Sequence, residues 1–130
     1  MCIILQVQIR HRNFIECTHS LMYINLFTNK DIIVQMASCS YDVHVQEIIG
    51  TLIVGSSIVM LQPQGNMNLE YVLMILHKKQ VSYMQNVPAY LDNMLDILLQ
   101  HDCSKFKLLR TIDIGGKWFL ISLKNFQNVL

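Results

Sequence analysis

Short apolar runs alternate with longer amphipathic segments along this chain, and that alternation constrains its fold more than any other feature. Asp31–Ala37, Ser57–Leu61, Val81–Met84 and Leu108–Ile114 have strand length. Each follows a segment in which apolar residues recur at helical steps: 12–27, 42–54, 67–79 and 88–100. The order α-β-α-β-α-β-α-β implies right-handed crossovers and a mainly parallel sheet with alternating helices, an α/β fold. No internal repeat, low-complexity tract or linker interrupts it, so residues 1–130 read as one domain or part of one.

Local signals agree. Asn13 and Glu16 have capping-box spacing, and Phe14, Cys17, Leu21 and Ile24 make one apolar face. Asp31–Ala37 is expected to be a strand buried on both faces. Asp42 then caps a helix whose expected buried stripe is Val45, Ile48, Ile49, Leu52 and Ile53, ended by Gly55. Ser57–Leu61 reads as a second buried strand, and Gln62-Pro63-Gln64-Gly65 as a loop. Glu70 near the start and Lys78 and Lys79 at the end suit the dipole of helix Met67–Lys79. Pro88 suits the first turn of the next helix, with Tyr90, Leu91, Met94, Leu95 and Leu98 inward and Asp92 and Asp96 wet. His101–Lys105 reads as a polar loop, and residues 117–130 give no clear signal.

Apolar residues make up 52% of the 130 and charged residues 15%. That is more apolar surface than so short a chain covers alone, so a neighbour is expected: another domain, another subunit or the rest of a longer chain. Net charge is +1, and the Lys and Arg residues are scattered. No basic stripe exists to track a phosphate backbone, which excludes a nucleic-acid partner. The apolar stretch Ile48–Leu61 is broken by Gly50, Gly55, Ser56 and Ser57 and is too short to span a bilayer. Met1–Val7 lacks the basic start and small-residue site of a signal peptide. A soluble, cytoplasmic chain without a membrane partner is the expectation. Cys2, Cys17, Cys39 and Cys103 contain no Cys-x-x-Cys pair, so buried free thiols are expected rather than a zinc or redox site.

A strand that delivers a carboxylate to the start of a helix puts it at the carboxyl edge of the sheet, where open α/β sheets bind ligands. Asp42 is such a residue. Gln85 and the loop Ile114-Gly115-Gly116 should reach the same edge. A carboxylate there can hold a ligand ammonium by a charge-assisted hydrogen bond. Val43 and Gln46 share the first turns of the helix, and Ile112 and Ile114 alternate on one strand face. Gly115-Gly116 lets a flat ligand approach the backbone. Together these describe a pocket for a small amine, although an aspartate at a helix start needs no ligand to explain it.

Other constellations are weaker. His44, two residues from Asp42 and five from Cys39, completes no ligand set and reads as a helix-surface or pocket-rim histidine. Ser40, Asp42 and His44 are no triad by proximity, because triads are spatial and need an oxyanion hole. Trp118 and Phe119 read either as buried tail anchors or as exposed remnants.

The string Val34-Gln35-Met36-Ala37-Ser38-Cys39-Ser40-Tyr41-Asp42-Val43-His44-Val45-Gln46-Glu47-Ile48 resembles the aromatic-Asp segment of non-ribosomal peptide synthetase adenylation domains, which are AMP-forming acyl-adenylate ligases. Gly55–Leu61 is similar to the family's next strand, Val87-Pro88-Ala89-Tyr90 to its next helix start, and Leu109-Arg110 through Gly115-Gly116 to its glycine-pair strand. Val7–Phe14 resembles the stretch after its phosphate loop. The ordered match covers roughly residues 7–116. It implies a fragment of the large N-terminal core of an adenylate-forming domain, with 117–130 a divergent tail. It also implies that Asp42 holds a substrate α-amino group, that Val43, Gln46, Gln85, Ile112 and Ile114 line a side-chain pocket, and that Tyr41 stands beside the carboxylate site. Gly115 and Gly116 would approach the adenine, and ATP with Mg2+ would serve the parent reaction. The implied partners are an amino acid or similar carboxylate, the remainder of an adenylation domain and a carrier-protein domain.

The departures matter too. The phosphate loop that should precede Val7 is not in the sequence, Lys117 replaces the usual Glu after the glycine pair, and the later motifs with the catalytic Lys are missing. Nothing in the sequence is placed to neutralise the phosphates, a term that dominates such chemistry. The chain alone is therefore expected not to adenylate. The alternatives are a small non-catalytic doubly wound binding module, or an inert product stable only against a partner.

Overall fold

The computed structural model describes residues 8–100, 108–114 and 119–122. The sheet has the order β2-β1-β3-β4-β5, with β1 Ile32–Gln35, β2 Ser57–Met60, β3 Tyr83–Asn86, β4 Thr111–Ile114 and β5 Phe119–Ser122. The first four are parallel, as the alternation of elements requires, and β5 returns antiparallel beside β4. The last strand falls within the residues read as a tail without signal. A Phe-Leu-Ile-Ser run has no period to mark it, and it becomes a strand by closing the free side of β4. Gly115-Gly116 and His101–Lys105 lie outside the described residues.

Helices α1 (His11–Tyr23), α2 (Asp42–Val45), α3 (Thr51–Val54), α4 (Leu69–Lys78) and α5 (Pro88–Gln100) cover the two faces. One face packs Val34, Met84, Ile112 and Ile114 against Val72, Leu73 and Leu76 of α4 and Leu91 and Met94 of α5. The other carries Ile33 and Tyr83 against Phe27, Val54, Leu21 and Met22. There the Phe27 and Tyr83 rings stack at 5.1 Å. Successive strand residues point to opposite faces, so one short run feeds both layers.

The helix after β1 differs most from its expected form. Between α2 and α3 runs a π-helical turn, Gln46–Gly50. Glu47, Gly50, Thr51 and Val54 face inward, while Val45, Ile49, Leu52 and Ile53 are exposed, Leu52 by 67%. A strict 3.6-residue period placed the apolar stripe inward. The wider π turn shifts the phase, and the sheet edge offers backbone N–H groups that a carboxylate satisfies and a leucine does not. Gly55 ends α3 as expected, at φ +75°, with Gly55 and Ser56 N–H both returning to the Thr51 carbonyl.

Smaller differences follow the same logic. Arg10 is the N-cap of α1, so Asn13 sits at N3 and accepts the Arg10 N–H at 3.2 Å. Thr18 is the buried residue of α1, while Cys17 and Ile24 are exposed. Cys39 is exposed too, so neither described thiol is buried. Asn68 caps α4 by accepting the Tyr71 N–H, which starts that helix after Met67. Strand β2 is at the sheet edge, with Met60 exposed rather than buried.

Candidate functional site

Strand order fixes where a ligand site can form. From β1 the chain goes to β2 on one side, then crosses to β3 on the other. The switch point of the sheet therefore lies between the carboxyl ends of β1 and β3. The helix leaving β1 covers one face and α5, leaving β3, covers the other. Met36 and Asn86, at the ends of these two strands, line one cleft.

The β1 side of the switch point is built by side chains that fold back on the backbone. Glu47 accepts the Met36 and Ala37 N–H groups, each at 3.0 Å, and is 2% exposed. His44 Nδ1 stands 3.2 Å from the Ala37 carbonyl oxygen and 3.2 Å from Gln35 Nε2. Gln35 Nε2 also donates to that carbonyl. From the other side Asn66 Nδ2 donates to the Met36 carbonyl at 3.0 Å. Burial pushes the Glu47 carboxyl up and outweighs the lowering by the Ala37 and Met36 amides, Gln35 and His44. On the adjoining strands Tyr83 Oη donates to Asp113 Oδ2 at 3.2 Å, and burial first, then that carboxylate, raises the phenol.

Tyr41 is the N-cap and Asp42 the first residue of α2. Both are exposed. Asp42 Oδ1 accepts the Val43 N–H at 2.9 Å, and no ion pair reaches Asp42 among the described residues. Val43 and Gln46 are half-buried beside it. Gln85 lies on the Tyr83 and Asp113 face of the sheet, 8% exposed, with Oε1 unpartnered. The helix bearing Asp42 covers that same face. Ile112 and Ile114 are paired in register with Met84 and Asn86 and point the other way, into the core beneath α4 and α5. The sheet thus stands between those two isoleucines and Gln85.

On the α4 and α5 side the switch point holds a cleft of about 270 Å³ lined by Met36, Asn66, Met67, Leu69, Asn86, Tyr90 and Asn93. Asn86 Nδ2 and Tyr90 Oη are buried there without partners, and burial pushes the Tyr90 phenol up to about 12. Sequence reading missed Glu47, Gln35, Asn86 and Asp113. The one available signal was Glu47, a charge inside a run expected to bury only apolar residues.

Lys30 precedes β1, while Lys78 and Lys79 precede β3, which puts all three at the amino edge; Arg10 and Arg12 stand at the start of α1, away from the end of that helix that meets Arg110. The described residues contain no cluster of three or more His, Cys, Asp or Glu able to hold a metal ion, and no helix long and apolar enough to cross a membrane.

Comparison with known proteins identifies the family. Residues 6–129 match the family model of the AMP-binding enzymes. A mycosubtilin synthase chain of Bacillus subtilis is 32% identical over 101 residues, 78% of this chain and 4% of that protein. Bacitracin synthase 1 of Bacillus licheniformis is 30% identical over 111 residues, 85% of this chain and 2% of that protein. The chain thus spans a few hundredths of these relatives. Among solved structures, the non-ribosomal peptide synthetase FmoA3 superposes with a TM-score of 0.77 at 18% identity, over 92% of this chain and 13% of that one. The Vibrio cholerae adenylation domain AlmE, in complex with glycyl-adenosine-5'-phosphate, superposes at 0.57 and 11% identity over 76% of this chain and 23% of that one. The α/β fold, the ordered sequence match and the family model agree: this chain matches part of an adenylation domain and belongs to the AMP-binding enzyme family.

Proposed function

We propose that this chain is the amino-acid-holding part of an adenylate-forming domain, serving non-ribosomal peptide assembly. In the complete domain a substrate carboxylate oxygen attacks the α-phosphorus of ATP, the bond to pyrophosphate breaks, and an acyl-adenylate forms. Asp42 grips the α-ammonium group by a charge-assisted hydrogen bond, orienting the substrate without reacting. The observation that carries this reading is the position of Asp42: an exposed carboxylate on the first turn of the helix that leaves β1 at the switch point, with no ion pair among the described residues.

Tyr41 flanks the substrate carboxylate, and Val43, Gln46 and Gln85 meet its side chain. The unpartnered Gln85 Oε1 favours a side chain that donates a hydrogen bond. For Ile112 and Ile114 we propose the support their core position allows: they set the end of β4, from which Gly115 and Gly116 lead to the nucleotide. The rest of the domain supplies the phosphate-binding cations, Mg2+ and the catalytic lysine, and a carrier-protein domain receives the product. Alone, the chain holds an amino acid but does not activate it.

Thermal shift with a panel of amino acids, with and without ATP, tests the grip. A rise with an amino acid that disappears in Asp42→Ala is expected; unchanged binding in that variant removes the assigned role. Pyrophosphate exchange above background by the chain alone would overturn its inactivity.

A further inference from the structure

Glu47 ties together two pieces of chain that the sequence leaves independent. Its two oxygens take the N–H groups of Met36 and Ala37, the first residues after β1, each at 3.0 Å. The chain then runs through residues 38–41 to Asp42 and back along the helix to Glu47 itself. The carboxylate therefore closes a ring that contains Tyr41 and Asp42. His44 closes the same ring nearer its start, with Nδ1 3.2 Å from the Ala37 carbonyl oxygen. The π turn that begins at Gln46 presents Glu47 inward, and Thr51 Oγ1 donates to the Glu47 carbonyl within it.

We infer that Glu47 is the positioning residue for Asp42, and that its ionised form is the one that holds the 36–42 segment at the sheet edge. The inference takes its functional meaning from the proposed grip of Asp42 on an amine, but its structural claim needs no ligand. A carboxylate offers acceptors to both amides. Protonation turns one oxygen into a donor, which cannot face an N–H, so Met36 or Ala37 must be released. Charge-assisted bonds weaken at the same step. The other ionisable groups around Glu47 are His44 on its own helix, Tyr83 on β3 and, bonded to Tyr83, Asp113 on β4. Strand β1 and helix α3 offer none, and the ionisable side chains of α1 are all exposed. Burial pushes the Glu47 carboxyl above its ordinary value.

Amide hydrogen exchange on the full chain, read by NMR from neutral to mildly acidic pH, tests this. In the wild type, Met36 and Ala37 should lose about tenfold or more of their protection on acidification, the loss of about one charge-assisted hydrogen bond. The amide shifts of Tyr41 and Val43 should follow the same midpoint, recorded also in Asp42→Asn to remove the ionisation of Asp42 itself. Glu47→Gln should show low protection at every pH and no such midpoint, while Glu47→Asp keeps the midpoint with weaker protection. Wild-type protection retained in Glu47→Gln overturns the inference, as do Tyr41 and Val43 shifts that ignore the midpoint. If Glu47→Gln fails to fold, the wild-type titration and Glu47→Asp decide. Asp42→Asn should weaken amino-acid binding roughly tenfold to a hundredfold and leave the exchange pattern intact, so failure of the grip and failure of the ring are separately visible.

Discussion

Arg110 and Asp31 meet across the amino edge of the sheet, with Nη2 2.7 Å from Oδ2. The same guanidinium donates to the Asn25 carbonyl at 2.7 Å and the Leu26 carbonyl at 3.1 Å, and Asp31 also accepts from Thr28 and Ser82. One cluster thereby joins the end of α1 to β1, β3 and β4. Glu47 does the corresponding work at the opposite end of β1, but with the Met36 and Ala37 amides in place of a guanidinium. Two buried carboxylates thus bracket one strand with opposite electrostatic settings.

Removing the cation should expose that difference. The Asp31 side chain is 3% exposed and that of Arg110 35%, so the pair is only partly screened. Arg110→Met leaves a buried carboxylate without its charge partner and two carbonyls without a donor. We expect a loss of about 2–4 kcal/mol, below the fully buried case because of that screening. Urea denaturation checks it; a loss within experimental scatter would show that Ser82 and Thr28 suffice.

The two carboxylates should respond to pH with opposite signs. Burial raises Asp31, but the bonds from Ser82, Arg110 and Thr28 outweigh it and hold its carboxyl below the ordinary range. Its stabilisation is fully present above the ordinary carboxylate value and is lost as pH falls through the folded value. Glu47 is raised, because desolvation relative to the unfolded chain outweighs its amide bonds, so the global stability from that preference is present below the ordinary value and lost as pH rises through the folded one; the release of Met36 or Ala37 on protonation is local, within a fold that keeps the carboxyl buried. Denaturation midpoints across pH should therefore pass through a maximum on the acid side of neutrality. Asp31→Asn should flatten the acid limb and Glu47→Gln the limb toward neutral.

The outer face of the 42–54 helix gives a third test. A helix whose apolar stripe faced the sheet would not survive a charge in it. Leu52 is exposed instead, so Leu52→Glu should change stability by no more than about 0.5 kcal/mol. It should also reduce any self-association through Val45, Ile49, Leu52 and Ile53. Sedimentation with parallel denaturation distinguishes these outcomes; unfolding by Leu52→Glu would place the stripe inside after all.

How legible the fold was in the sequence follows from the same helix. Strand and helix order could be read because Val34, Met84 and Ile112 sit in short β-rich runs, while Leu73, Leu76, Leu91 and Met94 repeat at helical steps. Periodicity failed where backbone demand, not apolar burial, set the phase: Glu47 faces inward because Met36 and Ala37 need acceptors. The edge itself was legible through Asp42. The sides of the sheet were not, because Gln85 and Ile112 come from different strands and their facing depends on register, which pairs Gln85 with Asp113. Strand β5 was invisible because it forms by pairing with β4 and carries no alternation of its own.

Ile112 separates packing from recognition. It is fully buried beside Met84 and Met94. Ile112→Ala should cost about 2–5 kcal/mol of folding stability, the usual penalty for a cavity of that size in a core. A small stability loss with a large change in amino-acid preference would instead make Ile112 a wall of the pocket. Denaturation and the amino-acid thermal-shift panel, run on the same variant, decide between them.

Asp42 should show the reverse pattern. Its side chain is exposed, and its hydrogen bond goes to the next N–H, so the fold gains little from it. Asp42→Asn keeps the size and an acceptor oxygen while removing the charge. Melting should be nearly unchanged, apart from a slight loss of favourable charge at a helix start. Affinity for an amino acid should fall roughly tenfold to a hundredfold, the worth of one charge-assisted hydrogen bond. Raising the ionic strength should weaken the wild type and leave the variant almost unaffected, because only the wild type uses a charge exposed to screening. Calorimetric titration at two salt concentrations measures both effects. Equal affinity and equal salt response in the two proteins would remove Asp42 from the grip and shift attention to the cleft beside Asn86 and Tyr90.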